Sequence, residues 1–240
     1  MSRSRDQVLG RIRRATASPA AAREQDYAAI PRLYRRTGTL DEDGRLALFQ
    51  SRVEDYGCGC VRCAQEQLPD TIGQVLRSRA RQRLVVPQGV PAAWLPAGFD
   101  WVRDTGLSYG ELDAIDGAVT GCTSAISQTG SIVLCHDPTE GRRAITLIPD
   151  YHLCVVFARQ VMETVSDSLR QPRVAASALI TTISGPSATA DIEMTRIKGV
   201  HGPRTLDVVL VDTAIGNSAT NNGDRLYADN PGVIINSSFG

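Results

Sequence analysis

The chain has 240 residues, 42% of them hydrophobic and 22% charged, with 26 Lys and Arg against 26 Asp and Glu. Balanced charge and a pI near 6.8 exclude the basic excess that neutralises nucleic-acid phosphates or docks on an anionic membrane surface. No stretch approaches the ~20 consecutive apolar residues of a membrane span, and no apolar segment follows the N-terminal arginines, so a cytoplasmic protein with a core of its own is expected.

Residues 4–15 interleave arginines with Val8, Leu9 and Ile12 at helical spacing, and residues 16–24, rich in Ala and Ser around Pro19, read as a linker. Leu46, Phe49 and Val53 fall on one helical face that ends at Gly57, and a short strand is expected from Cys58 to Cys63. A second helix follows, with Pro69 at its start and Ile72, Val75 and Leu76 on one face. It leads into the apolar run Leu84 to Val86, so strand, helix and strand succeed each other as in a parallel sheet.

Further strands are expected at Ala118 to Cys122, Ser131 to Leu134, Ala144 to Ile148 and His152 to Phe157. A helix from Arg159 to Leu169 should stop before Pro172. The nearly continuous aliphatic runs Ala178 to Ile183 and Leu206 to Val211 predict central strands covered on both faces. The organisation is then an N-terminal helix and linker over 1–24, an α/β domain over 25–212 and a polar extension over 213–240, in which Val233 to Ile235 could add an edge strand.

Only Lys198 among the 26 basic residues is a lysine. Gly199 follows it and no glycine-rich run precedes it, which excludes a P-loop and makes a pyridoxal enzyme improbable. Ile183 to Glu193, with Ser184, Gly185, Ser187 and Thr189 directly after a strand, has the small residues that let backbone N–H groups approach an anion. It reads more readily still as a turn in which Ser187 or Thr189 caps a helix, with Asp191 and Glu193 complementing the helix N-terminus. His201, between Gly199 and Gly202, is the histidine best placed for acid or base work. His152 reads as a core histidine and His136 as a solvated loop residue. Cys58, Cys60 and Cys63 resemble part of a metal ligand set, but without a fourth ligand they read as small buried residues, and no metal site is expected. Gly106 to Gly110 matches a nucleophile-elbow pattern without the apolar strand that should precede it, so a polar turn is expected.

Taken together, Val119 to Cys122, Thr129 to Leu134, Leu147 to Pro149 with His152, Ile183 to Glu193, Gly199 to Arg204 and Val208 to Asp212 resemble the LUD-domain family over roughly residues 4–212. The resemblance implies an α/β fold, a mainly parallel sheet flanked by helices like that of the NagB/RpiA/CoA-transferase type. Gln128 and Ala188 depart from the family pattern. On the matching motifs, Gly130, Ser131, Gly185, Ser187, Thr189 and Gly202 become the candidate ligand-binding residues, and His201, Asp191 and Glu193 the candidate catalytic ones.

The resemblance also implies a part in L-lactate utilisation, the oxidation of L-lactate to pyruvate, beside iron–sulfur and cysteine-rich partner proteins that carry the clusters. No cofactor motif is evident in the chain itself. The alternative is a stand-alone enzyme or binding protein for an anionic ligand such as a CoA thioester, sugar phosphate or folate, using the 185–193 loop and His201.

Overall fold

The computed structural model describes residues 3–16, 27–31, 33, 35, 37–190, 196–198 and 202–212. Contacts divide the chain into residues 1–36 and 37–240. In the first part the amphipathic N-terminal pattern forms α1 (Arg3–Ala15), with Asp6 in its first turn and Arg13 and Arg14 in its last, the placement a helix dipole favours. Most of the predicted linker, residues 17–24, lies outside the described residues, as does the predicted strand at 233–235.

The second part begins with α2 (Glu42–Asp55). Asp41 caps it by accepting the Gly44 N–H at 2.8 Å, and Leu46, Phe49 and Val53 are buried as their spacing predicts. Its approach is fixed from elsewhere, because the buried Glu163 carboxylate accepts the backbone N–H groups of Thr39 and Leu40. β1 (Gly59–Cys63), α3 (Leu68–Ser78), β2 (Arg83–Val86) and β3 (Asp100–Arg103) follow. Next come α4 (Tyr109–Asp113), β4 (Gly117–Thr120), β5 (Ser124–Ile126), β6 (Ser131–Leu134) and β7 (Tyr151–Phe157). β8 (Val161–Met162), α5 (Val165–Leu169), α6 (Pro172–Ala176) and β9 (Thr181–Ile183) lead to β10 (Ala188–Ala190), β11 (Arg196–Lys198) and β12 (Thr205–Val211).

Six strands make one sheet in the order β1-β12-β7-β4-β2-β3, every neighbouring pair parallel. The expected α/β architecture is therefore present, with β7 and β12 among its interior strands. Alternate residues of these strands face opposite layers. Leu153, Val155, Val209 and Val211 pack with Ile72 and Leu76 of α3. Cys154, Val156, Val208 and Leu210 pack with Phe49 of α2 and with a second, four-stranded sheet in the order β8-β5-β6-β9.

Two buried polar groups close the central strands. Asp207 on β12, 3% exposed, accepts both arms of Arg79 at 2.8 and 2.7 Å, the Tyr151 hydroxyl at 2.9 Å and the Gly59 N–H at 3.0 Å. It thereby ties β1, β7, β12 and the end of α3 together. On the opposite face His152, 1% exposed, meets the Thr120 hydroxyl at 2.8 Å, and burial lowers its pKa to about 4. The reading of His152 as a hydrogen-bonded core residue holds.

Three local expectations differ. Ala144 to Ile148 is not a strand: Arg143–Thr146 forms a 3-10 helix that drives Ile145 into a cluster with Val85, Leu112 and Ala118. The single helix expected over 159–169 is a 3-10 turn, the two-residue β8 and the short α5, because Val161 and Met162 pair with Ala125 and Ile126. Only Thr181–Ile183 of the 178–183 run is strand, and β9 is an edge strand with Leu179 and Ile180 exposed, since its one partner is β6. Among the described residues no helix is long and apolar enough to cross a membrane.

Asp207→Ala is expected to destabilise the fold by about 3 kcal/mol, because it leaves Arg79, Tyr151 and Gly59 without their acceptor. Urea denaturation should show a lower midpoint at an unchanged slope. His152 contributes in the other direction of charge. The unfolded chain binds a proton below the ordinary pKa near 6.5 that the fold refuses down to about 4, so this stability is present above pH 6.5 and lost as pH falls toward 4. The full difference is roughly 3 kcal/mol. The fall in melting temperature between neutral pH and pH about 4.5 should therefore be shallower in His152→Gln than in the native protein.

Candidate functional site

A cavity of about 270 Å³ lies between the amino ends of β7 and β12 and the carboxyl end of β9. His152 and Leu206, the second residues of the two central strands, are in its lining. The turn after β9 supplies Ser184, Gly185, Pro186 and Ser187, and Gly202 and Pro203 come from the approach to β12. Gly185 has φ +85°, and a Cβ there would stand 2.8 Å from the Tyr56 side chain, so the turn passes too close to the end of α2 for any other residue. The Ser187 N–H donates to the Pro203 carbonyl at 2.8 Å, which joins the two lining segments.

Arg143 brings the positive charge. It is aimed by the turn before it, in which the buried Glu140 carboxylate accepts the Thr123 hydroxyl and the Cys135 N–H, both at 2.6 Å, and the Asp137 N–H at 3.2 Å. Burial raises the Glu140 carboxyl above its ordinary range, and these donors hold it back. Arg142 is drawn outward by a two-armed ion pair with Asp104 at 2.8 and 3.0 Å and by the Leu107 carbonyl. That hydrogen bond is the main cause holding the Asp104 carboxyl below the usual carboxylate range. Arg143, the next residue, lines the cavity instead and donates to the Thr181 hydroxyl at 2.9 Å.

Thr181 also meets His136 Nε2 at 2.8 Å, and His136 Nδ1 meets the Gly141 carbonyl at 2.9 Å. A carbonyl only accepts, so the His136 Nδ1–H donates to it, while Nε2 shares a hydrogen bond with the Thr181 hydroxyl. Arg143, Thr181, His136 and Gly141 thus form one chain of donors and acceptors. His136 is not the solvated loop residue expected from the sequence. Its φ of +61° turns the partly buried ring back onto the Glu140–Arg143 turn.

The Thr120 hydroxyl lies 2.9 Å from the Gly121 carbonyl and 2.8 Å from His152 Nε2, so the hydroxyl and the ring share one hydrogen bond whose donor is set by the ring tautomer. Nδ1 has no hydrogen-bond partner among the described residues. With a pKa of about 4 this ring is a weak base at neutral pH, suited to bonding a ligand more than to taking its proton. No carboxylate among the described residues lies in salt-bridge range of Arg143. A guanidinium, several hydroxyls and a neutral imidazole make a site for a small anion.

Of the residues singled out from the sequence, Gly185, Ser187 and Gly202 line this cavity. Ser131 stands behind its wall, 2.7 Å from the Ser184 hydroxyl. Gly130 does not line it: at φ +60° it packs against the Arg52 backbone of α2. Thr189 sits in β10 opposite Ile197 of β11, so the reading of Ser187 or Thr189 as a helix cap does not hold. Asp191, Glu193 and His201 lie outside the described residues.

Cys58 and Cys60 belong to the core layer of α2 and Cys63 to that of α3, with burial pushing the Cys60 thiol up to about 12. The three thiols do not converge, and no group of three potential metal ligands occurs among the described residues. Gly106 to Gly110 is the expected polar turn, with Asp104 accepting the Gly106 and Leu107 N–H groups and Ser108 capping α4. Arg143 and Thr181 were not legible as site residues. The arginine pair after Glu140-Gly141 was the available signal, masked by reading the next five residues as a strand.

The sequence profile of the LUD domain matches residues 108–211, the stretch that contains Arg143, His152 and the 184–187 turn. Lactate utilization protein C of Deinococcus radiodurans is 45% identical over 168 residues, covering 68% of this chain and 77% of that protein. Lactate utilization protein C 1 of Bacillus mycoides is 25% identical over 222 residues, 85% of this chain and 92% of its own. A crystal structure of a DUF162-family protein from Deinococcus radiodurans superposes with a TM-score of 0.63 at 40% identity, covering 72% of this chain and 99% of that one. Sequence profile, relatives and three-dimensional likeness agree, and the chain belongs to the LUD-domain family.

Proposed function

We propose that the protein serves lactate utilisation, as a component of the oxidation of L-lactate to pyruvate that acts beside iron–sulfur and cysteine-rich partner proteins. The observation that carries this reading is the 45% identity to lactate utilization protein C of Deinococcus radiodurans over 77% of that protein. Chemistry supports the division of labour. Converting a 2-hydroxy acid to a 2-oxo acid releases two electrons and two protons, which an acceptor must take up. Cys58, Cys60, Cys122 and Cys154 lie in one core layer, Cys63 in the other and Cys135 beside a third cluster; in this reading the electrons would pass to a partner's clusters while this chain binds and orients a small molecule.

A second reading is favoured by the cavity itself. Arg143 and the 184–187 turn would suit a stand-alone protein acting on an anionic ligand such as a CoA thioester, sugar phosphate or folate, with His201 as acid or base.

Gentle purification of the tagged protein from its host grown on lactate should recover stoichiometric iron–sulfur partners with broad visible absorbance. The isolated chain should show no lactate oxidation. Turnover by the chain alone, or a colourless protein recovered without partners, would overturn the component reading. In that event His201→Ala should abolish turnover of the anionic substrate while the protein stays folded, and unchanged turnover would remove His201 from the chemistry.

A further inference from the structure

We infer that the arginines of the turn from α3 into β2 form a docking surface for an acidic, extended segment of a partner protein. Residues 77–83 hold Arg77, Arg79, Arg81 and Arg83 with no acidic residue among them, a local excess that the chain-wide balance of charge conceals. The surface shares no residue with the lining of the cavity beside Arg143. It rests on the lactate-utilisation reading only in that the chain works with a partner protein.

The turn is tightly closed. The Ala80 N–H donates to the Arg77 carbonyl and the Arg81 N–H to the Leu76 carbonyl, both at 3.0 Å, with Ala80 at φ +52°, so α3 ends in the left-handed closure that glycine usually supplies. Two of the four guanidiniums are neutralised within the fold. Arg79 is clamped on the buried Asp207, and Arg83 pairs with Asp100 at 3.2 Å. Arg77 and Arg81 have no carboxylate in ion-pair range among the described residues. The Asp116 carboxylate lies in electrostatic range of Arg81, but one of its oxygens is occupied by the N–H groups of Gln82 and Arg83. Arg81 Nε is shut from solvent and meets no acceptor among the described residues.

Each of these two guanidiniums rests instead on an aromatic ring, Arg77 Cζ 5.9 Å from the centre of Phe99 and Arg81 Cζ 5.5 Å from that of Tyr151. Stacking holds a guanidinium in one plane and leaves its edge donors for a two-armed bond to a carboxylate. The spacing selects the ligand. Tyr151 opens β7, Phe99 immediately precedes β3, and β4 and β2 run between those strands, so the two stacks stand three strand spacings apart, roughly 14 Å. One small oxyanion cannot bridge that gap. An extended chain rises about 3.3 Å per residue, so two carboxylates four residues apart on one side of a strand would reach both arginines. Single-stranded nucleic acid needs open ring faces on which bases stack, whereas Tyr151 is fully buried and Arg77 lies over Phe99.

The test is fluorescence anisotropy of a labelled octaglutamate peptide titrated with the full chain. The native protein should bind it, and affinity should fall by about tenfold between roughly 50 and 200 mM salt as the charges are screened. Arg77→Gln combined with Arg81→Gln should weaken binding by about tenfold or more at an unchanged melting temperature, because neither side chain neutralises a buried carboxylate. Arg81→Lys keeps the charge and loses the planar stack, so it should fall between the native protein and Arg81→Gln. Arg13→Gln combined with Arg14→Gln removes the same charge from α1 and should leave binding unchanged. No peptide binding, an equal loss in the α1 variant, tighter binding of octauridylate than of octaglutamate, or displacement of the peptide by millimolar inorganic phosphate would overturn the inference. The two proposals fail separately. Iron–sulfur partners recovered undiminished with the Arg77→Gln, Arg81→Gln chain would sink this surface alone, and a chain recovered without partners that still binds octaglutamate through these arginines would sink the component role alone.

Discussion

Strands β7 and β12 pair in parallel along seven residues each, and nearly every side chain on them is buried. Neither face can be left to water, so both must be covered. α3 covers one face with Ile72 and Leu76, while α2 and the four-stranded sheet cover the other. A fully buried aliphatic side chain is worth about 1.5–3 kcal/mol, which makes this three-layer stack the main source of stability. The rest of the architecture is arranged around that demand.

Covering both faces also traps polar groups at the strand ends, and the fold handles two of them oppositely. Asp207 receives four hydrogen bonds from donors on three elements, the guanidinium of Arg79 among them, which offset the cost of taking its polar oxygens out of water. His152 lies on the other face, with Thr120 as its one hydrogen-bond partner among the described residues, and burial lowers its pKa so that it stays neutral. One group serves as a staple between strands. The other stands in the lining of a cavity.

That cavity sits at the margin where the second sheet stops short of the amino ends of the large one. In open parallel sheets ligands usually gather beyond the carboxyl ends of the strands. Here the lining arises instead from a turn after an antiparallel edge strand, β9, and from the Glu140–Arg143 turn. Adjacent arginines divide their work: Arg142 clamps the turn to Asp104, and that clamp frees Arg143 to face the cavity. Glu140, shut away from solvent, fixes the same turn from inside.

By itself the sequence determined the elements whose residues all favour one outcome. The aliphatic run at 206–211 gave a strand covered on both faces, the same signature at 178–183 gave only a short edge strand, the 46, 49, 53 spacing gave a buried helical face, and the order of the motifs was enough to point to the LUD domain. Gly185, Ser187 and Gly202 could be singled out because they fall on the motifs that resemble the LUD domain. Tertiary structure decided what depended on partners distant in the chain. Residues 144–148 carry strand-like composition, yet Ile145 gains more by filling the gap beside Val85 and Leu112 than a strand there could offer. Arg143 and Thr181 are 38 residues apart, and His152 and Thr120 are 32 apart. Their roles come from hydrogen bonds that exist only once segments distant in the chain are brought side by side, so no local pattern encodes them.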